Sequence, residues 1–271
     1  MTFQELNLTE PLLRAVTEKG YQTPTPIQQQ AIPPALAGRD LLGCAQTGTG
    51  KTAAYTLPLL NKLLLEGNDD NVIKSVIIVP TRELAQQIDQ QFQGFSYYLP
   101  VSTTVVYGGG DGKGWDIQKK GMLMGSDVVI ATPGRMISHL QNSGVDLSHV
   151  EYLILDEADR MLDMGFIHDI RRILPLLPAR RQTLLFSATM PPEIERLAAT
   201  ILHDPVHITV TPPASVVETI RQQVLFVEKA DKRERLTELL HERSEESVLV
   251  FSRTKHGADP VSYTHLRAHE T

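Results

Sequence analysis

Between residues 40 and 210, short runs of β-branched and aliphatic residues alternate with longer stretches whose apolar positions recur at helical spacing. That alternation predicts βαβ units and a parallel sheet. Strands are expected over 40–44, 75–79, 103–106, 127–131, 152–156, 183–186 and 206–209. Their apolar residues run unbroken, which fits strands covered by helices on both faces. Ahead of the first strand, 9–20 and 25–38 each open on a Thr, carry an early Pro and close on a Gly, so two capped helices precede the sheet. The expected fold class is α/β, a doubly wound parallel sheet.

The turn-rich segment Thr211-Pro212-Pro213-Ala214-Ser215 follows a complete run of strands and marks a domain boundary. The division is 1–38 for the leading helices, 39–210 for the sheet domain, 211–218 for a linker and 219–259 for the opening of a second domain. In that last part, 219–228 alternates like a strand, 230–243 is a charged amphipathic helix with Leu236, Leu239 and Leu240 inward, and 247–251 is another buried strand. One βαβ unit leaves apolar faces and edges uncovered, so Arg221 onward is expected to be loosely held. Residues 260–271 follow neither period and read as a foreign tail from a cloning or assembly junction.

Composition narrows the classes. With 41% hydrophobic and 21% charged residues in 271, the chain can bury a sizeable core and is not globally disordered. Its apolar runs fall far short of the ~20 residues that cross a bilayer, so no membrane partner is expected. The start Met1-Thr2-Phe3-Gln4-Glu5 lacks a signal-peptide pattern and Cys44 is the only cysteine, which favours the cytoplasm and excludes disulfide or cysteine-zinc frameworks. His139, His149, His168, His203 and His207 show no metal-ligand spacing. A net charge of −6 gives no global signature of nucleic-acid binding, but a local groove of arginines and backbone N–H groups can hold phosphates on an acidic protein.

The chemistry is concentrated in a few segments. Ala45-Gln46-Thr47-Gly48-Thr49-Gly50-Lys51-Thr52 follows a strand and opens a helix; it ends like the phosphate loop G-x-x-x-x-G-K-[ST], with Ala45 in place of the first Gly. Small residues there let backbone N–H groups curl around phosphate oxygens at a helix N-terminus. Lys51 can then reach the β- and γ-phosphates, and the Thr52 hydroxyl can ligate Mg²⁺. The expected strand 152–156 ends in Asp156-Glu157-Ala158-Asp159, at the end of an open sheet where ligands bind. Asp156 is placed to hold Mg²⁺ and Glu157 to activate water. Together these segments imply nucleoside triphosphate hydrolysis.

Asp-Glu-Ala-Asp with Ala45–Thr52 resembles the DEAD-box RNA helicases of superfamily two, in wording nearest the bacterial RhlE-like group. The resemblance extends from residue 3 to about 254. It takes in Phe3, the segment Gly20-Tyr21-Gln22-Thr23-Pro24-Thr25-Pro26-Ile27-Gln28, Pro80-Thr81-Arg82-Glu83-Leu84-Ala85, Gly108-Gly109, Thr132-Pro133-Gly134-Arg135, Ser187-Ala188-Thr189 and Val250-Phe251-Ser252-Arg253-Thr254. It implies a RecA-like sheet of the P-loop NTPase kind, ATP with Mg²⁺, and unwinding of RNA. Phe3, Tyr21 and Gln28 would form the adenine site: the Gln28 amide suits an adenine edge and Phe3 offers a stacking face, although Gln28 also fits a capping box with Thr25.

Arg82 and Arg135 each follow a strand and begin a helix, a natural phosphate clamp. The resemblance implies that they hold the backbone of RNA without reading sequence, together with Pro80, Thr81, Gly108, Gly109, Thr132, Pro133 and Gly134. Ser187 and Thr189 would hydrogen-bond Asp159 and couple hydrolysis to unwinding. Trp115 with Lys113, Lys119 and Lys120 reads as a solvated helix face, with contact to RNA as the alternative, and 110–125 departs from the family's common wording.

The family uses two RecA-like domains, the second supplying arginines that complete the ATP site, and no such arginine-rich segment follows Thr254. The chain therefore reads as an N-terminal fragment with weak ATP binding and little turnover by itself. A nucleotide-gated RNA clamp and a DNA helicase or translocase are the competing functions. Ribosome assembly and RNA decay are both open as settings, with their proteins as partners.

Overall fold

The computed structural model describes residues 1–67, 71–109, 112–210, 223–243 and 247–251. The chain divides into two units, 1–214 and 215–271.

The first unit opens with helices α1 (Glu10–Glu18) and α2 (Pro26–Leu36). Strand β1 (Leu41–Ala45) and helix α3 (Lys51–Glu66) follow, then β2 (Ser75–Ile78), α4 (Arg82–Phe95), β3 (Thr103–Val106), α5 (Gly112–Leu123), β4 (Val128–Ala131) and α6 (Pro133–Asn142). The unit closes with β5 (Tyr152–Leu155), α7 (Ala158–Asp163), α8 (Ile167–Ile173), β6 (Gln182–Ser187), α9 (Pro192–Ile201) and β7 (Val206–Val210). All seven expected strands form within a residue or two of their anticipated bounds. They pair in the order β3-β4-β2-β5-β6-β1-β7, every pairing parallel.

Alternate residues of each strand point to opposite faces, and the two faces hold separate apolar clusters. Ile77, Ile130, Ile154, Leu184 and Phe186 pack with residues of α1 to α4. Val76, Val129, Leu153, Leu155 and Leu185 pack instead with α6 to α9 and with Met122 of α5. The sheet is thus doubly wound, with helices on both faces, which explains why its inner strands carry no polar alternation. Each such fully buried aliphatic side chain contributes about 1.5–3 kcal/mol of burial free energy. At the strands' N-terminal end, Asp40 ties three segments: its carboxylate accepts from the backbone N–H of Thr183 (2.8 Å) and of His203 (2.7 Å).

In the second unit, helix α10 (Lys232–Glu242) forms where the amphipathic pattern places it, with Leu236, Leu239 and Leu240 half-buried. Of the flanking strands expected, 219–222 lies outside the described residues, while 223–228 and 247–251 are irregular, and Phe226 and Phe251 are 97% and 87% exposed. Alternation makes a strand only where a neighbouring strand completes the ladder, and among the described residues these segments have none. The proposed linker 211–218 and tail 260–271 lie outside the described residues.

Candidate functional site

The segments singled out in the sequence around the sheet all leave the C-terminal ends of its strands. Those ends divide into two halves. The loops after β5, β6 and β1, consecutive in the sheet, carry the acidic segment, Ser187-Ala188-Thr189 and the phosphate loop. The loops after β3, β4 and β2, also consecutive, carry Gly108-Gly109, Thr132-Pro133-Gly134-Arg135 and Pro80-Thr81-Arg82.

In the first half, Ala45 ends β1 and the chain turns through Gln46, Thr47, Gly48 and Thr49 to Gly50, the N-cap of α3. The left-handed positions are Gly48 (φ 85°) and Gly50 (φ 93°), not Ala45, so the departure from the usual first glycine asks nothing unusual of the backbone. Gly50 has a second reason to lack a side chain: a Cβ there would meet Gln28 Nε2 at 2.5 Å. Thr49 Oγ1 closes the turn by donating to the Gln46 carbonyl at 2.7 Å. Lys51 follows at the first position of α3, 6% exposed, and its buried Nζ has no hydrogen-bond partner among the described residues. A buried ammonium without an acceptor is costly unless an anion fills the place. At the N-terminus of a 16-residue helix, beside permissive loop backbone, the residues present fit a phosphate chain.

Asp156 lies at the end of β5, 2% exposed. Its Oδ2 accepts from the Tyr55 hydroxyl at 2.9 Å and its Oδ1 from the Glu157 N–H at 2.9 Å. Burial pushes this carboxyl above the ordinary range, against the pull of Lys51 and the Tyr55 hydrogen bond. Tyr55, one turn beyond Lys51 on α3, is itself fully buried, and burial first and Asp156 second push its hydroxyl well above the usual value. The Tyr55 hydroxyl also meets the half-buried Thr52, so Asp156 and Thr52 share a neighbour, and a carboxyl group with a hydroxyl is a donor set that suits Mg²⁺. Glu157 sits at the N-cap of α7 with left-handed backbone (φ 54°, ψ 50°), a strained conformation for a side-chain-bearing residue. Its carboxylate accepts from Thr47 Oγ1 of the phosphate loop at 3.4 Å and pairs with Arg160 at 3.1 Å.

Asp159, Ser187 and Thr189 come together as the sequence suggested. Asp159 Oδ2 accepts from the Thr189 N–H and hydroxyl, both at 2.8 Å, while the Asp159 N–H donates to Ser187 Oγ at 3.1 Å. Burial would raise the Asp159 carboxyl, but hydrogen bonds from Thr189 and Ser187 outweigh it and hold it below the ordinary range.

The expected adenine site is arranged differently from its anticipated form. Phe3 is 2% exposed, its ring edge-on to Tyr21 at 6.1 Å, so it is a core residue and offers no free stacking face. Tyr21 is half-buried between Phe3 and Phe95. Gln28 is 1% exposed: its Oε1 accepts from the Thr25 N–H at 3.0 Å and its Nε2 donates to the Gly50 carbonyl at 3.1 Å. The capping interaction with Thr25 is therefore present, and the same amide ties α2 to the phosphate loop.

In the second half, Pro80 is buried and Thr81 caps α4, accepting from the Leu84 N–H at 3.2 Å. Arg82 is exposed, its guanidinium 4.7 Å from the centre of the Tyr107 ring, beside Gly108 and Gly109. Thr132 is the N-cap of α6, Pro133 its first residue, and Gly134 is exposed. Arg135 lies 4.4 Å from the centre of the Trp115 ring, and its Nε donates to Gln118 Oε1 at 3.0 Å. Trp115 stacks on His139 with ring centres 3.7 Å apart and planes within 15°. The reading of Trp115 as part of a solvated helix face is thus corrected: it is half-buried because Arg135 and His139, one turn apart on α6, both meet its ring. Gln118 and His139 were not singled out for this site, nor was Tyr55 for the nucleotide half. The available signal was spacing, since Lys51 and Tyr55, like Arg135 and His139, stand four residues apart and share a helix face.

Among the described residues, no cluster of three or more His, Cys, Asp or Glu is arranged to hold a metal ion by itself, and no helix is long and apolar enough to cross a membrane.

Residues 25–197 match the family profile described as DEAD/DEAH box helicase. The chain is 42% identical over 262 residues to the ATP-dependent RNA helicase DeaD of Mycobacterium tuberculosis, an alignment covering 96% of this chain and 45% of that protein. It is 42% identical over 260 residues to the ATP-dependent RNA helicase CshA of Listeria monocytogenes, covering 96% and 49%. With the ATP-dependent rRNA helicase rrp3 of Schizosaccharomyces pombe it shares 42% identity over 254 residues, covering 93% and 53%. The chain spans about half the length of the curated relatives it matches.

Proposed function

The chain belongs to the DEAD/DEAH box helicase family, and from that premise we propose that it forms the nucleotide-binding part of an ATP-dependent RNA helicase acting in the cytoplasm. The observation that carries this reading is Lys51, a buried ammonium without a hydrogen-bond partner at the mouth of the phosphate loop. Lys51 would bind the β- and γ-phosphates, with the loop backbone from Ala45 to Gly50 around them. Thr52 and Asp156 would hold Mg²⁺, which when bound neutralises charge on the phosphate oxygens. Glu157, tethered to the loop through Thr47, orients the attacking water and accepts its proton. Tyr21 and Gln28 would face the adenine, for which Gln28 keeps one N–H and one lone pair beyond its two bonds.

Arg82 and Arg135 would hold RNA by its phosphates, without base sequence. The junction of Asp159 with Ser187 and Thr189 is the element that would pass the state of the nucleotide across the sheet edge. Ribosome assembly and RNA decay are the settings this activity suits.

The test is Mg²⁺-dependent ATP turnover by the chain, and by the chain joined to the second domain of a relative, each with and without single-stranded RNA. Turnover by the joined protein that rises with RNA and is lost in Glu157→Gln is expected. Equal stimulation by single-stranded DNA would favour a translocase, and RNA retention without strand separation would favour a clamp.

A further inference from the structure

Around Arg135 the structure is more elaborate than a phosphate contact alone requires. Gln118, 7% exposed on α5, makes three hydrogen bonds that leave its amide one orientation. Its Nε2 donates to the Tyr107 carbonyl at 3.1 Å, so its Oε1 faces Arg135 Nε at 3.0 Å and His139 Nε2 at 3.2 Å. His139 must then carry its proton on Nε2 and accept at Nδ1 from the Ser143 hydroxyl, 3.1 Å away. It stays neutral beside the guanidinium: burial, then Arg135 and Lys119, pull its pKa down to about 4. Trp115 stacks on the His139 ring and packs against the guanidinium. The Tyr107 that accepts from Gln118 also lies against Arg82, and its hydroxyl accepts from Gln86 Nε2 at 3.0 Å. Both arginines of this half therefore rest on aromatic rings, and the buried Gln118 amide links the main chain of Tyr107 to Arg135 and His139.

We propose that Trp115 and Gln118 are positioning residues for Arg135, holding its guanidinium ready for a phosphate of single-stranded RNA. This rests on the reading of the sheet edge given above. Gln118 takes the one N–H on the side of the guanidinium, and among the described residues its terminal nitrogens donate to nothing, which leaves the fork that matches a phosphate. An arginine already ordered by stacking and by its Nε bond loses less freedom on binding than one on an open surface.

The experiment is binding of a fluorescently labelled oligouridylate to the full chain across a salt series, with Mg·ATP affinity measured on every variant. Arg135→Ala is expected to weaken RNA binding roughly tenfold and to make the log–log salt dependence shallower by about 0.7, the contribution of one phosphate contact on a single strand. Trp115→Leu and Gln118→Ala should each weaken binding roughly three- to tenfold, as expected for loss of a cation–π or charge-assisted contact, and flatten the salt dependence in the same direction. Trp115→Phe should restore binding to within about twofold. Combining Trp115→Leu with Arg135→Ala should cost no more than Arg135→Ala alone. Additive losses, or an unchanged salt dependence in Trp115→Leu and Gln118→Ala, would overturn the proposal. So would a parallel loss of Mg·ATP affinity, which would mark Trp115 and Gln118 as packing residues only. If Arg135→Ala itself leaves RNA affinity unchanged, the RNA reading of this edge fails first.

Discussion

The two halves of the sheet's C-terminal edge treat charge in opposite ways. On the side of β5, β6 and β1, ionisable groups are buried and incompletely matched: Lys51 has no hydrogen-bond partner, and burial pushes Asp156 above its ordinary range. On the side of β3, β4 and β2, the arginines are at least partly exposed and braced, each against an aromatic ring. The first half is an incomplete electrostatic arrangement that a triphosphate and a cation would complete; the second is finished before any ligand arrives. A pocket for a small polyanion can rely on desolvated charge, since the ligand fills it entirely. A surface for a long polyanion stays wet, so its affinity depends on how well each contact is ordered beforehand.

The contrast breaks most visibly at Lys51. Lys51→Met is expected to lower Mg·ATP affinity on the order of 100-fold by calorimetry while leaving the denaturation midpoint of the ligand-free chain equal or higher, since among the described residues Nζ gives up no hydrogen bond and a costly buried charge is removed. Arg135→Met should do the reverse, with unaltered Mg·ATP affinity and a loss of about 1–2 kcal/mol in stability. If Lys51→Met destabilises the ligand-free chain more than Arg135→Met does, the two halves are not built on different rules.

Tyr55→Phe sharpens the first half. It takes a donor from a buried carboxylate and should cost about 1–3 kcal/mol in urea unfolding at neutral pH. An equal or higher midpoint would mean that the hydroxyl is not what satisfies Asp156.

The remaining expectation depends on pH and concerns His139 in the second half. Its pKa is lowered from 6.5 to about 4, so as pH falls from about 6.5 the unfolded chain takes up a proton that the folded chain refuses. The stability present above that range is lost progressively down to about 4 and then levels off. Between neutral pH and about 4.5, the midpoint of His139→Gln should therefore fall less than that of the unaltered chain; equal falls would show that His139 does not titrate as its surroundings demand.

The same two halves were unequally legible in the sequence. The nucleotide half is written in contiguous words, because a phosphate loop and a strand-end carboxylate pair are local backbone devices: Gly48, Gly50, Lys51, Asp156 and Glu157 could be read directly. The seven strands were legible for a similar reason, their unbroken apolar runs reporting two covered faces. What supports Arg135 is not local. Gln118 and Trp115 reach it from another helix, and only the pairing of β3 with β4 brings α5 and α6 together. Phe3 shows the converse error, since an aromatic residue that suits a base also suits a core, and burial decides between them. In the second unit 219–228 read as an alternating strand and 247–251 as a buried one, but a ladder depends on a neighbour that no strand encodes in itself.

Glu157 makes the chemistry of the site a matter of heredity as well as geometry. Its left-handed backbone (φ 54°) sets a conformational filter on what a single base change can deliver there. Of the residues one base from a glutamate codon, Gly suits that torsion and Asp tolerates it, whereas Val meets it with a branched Cβ and should fail as a fold before it fails as an enzyme. Loss of the carboxylate with the turn preserved is thus a short mutational step, and Glu157→Gly is the single-base change expected to remove the side chain while keeping the fold.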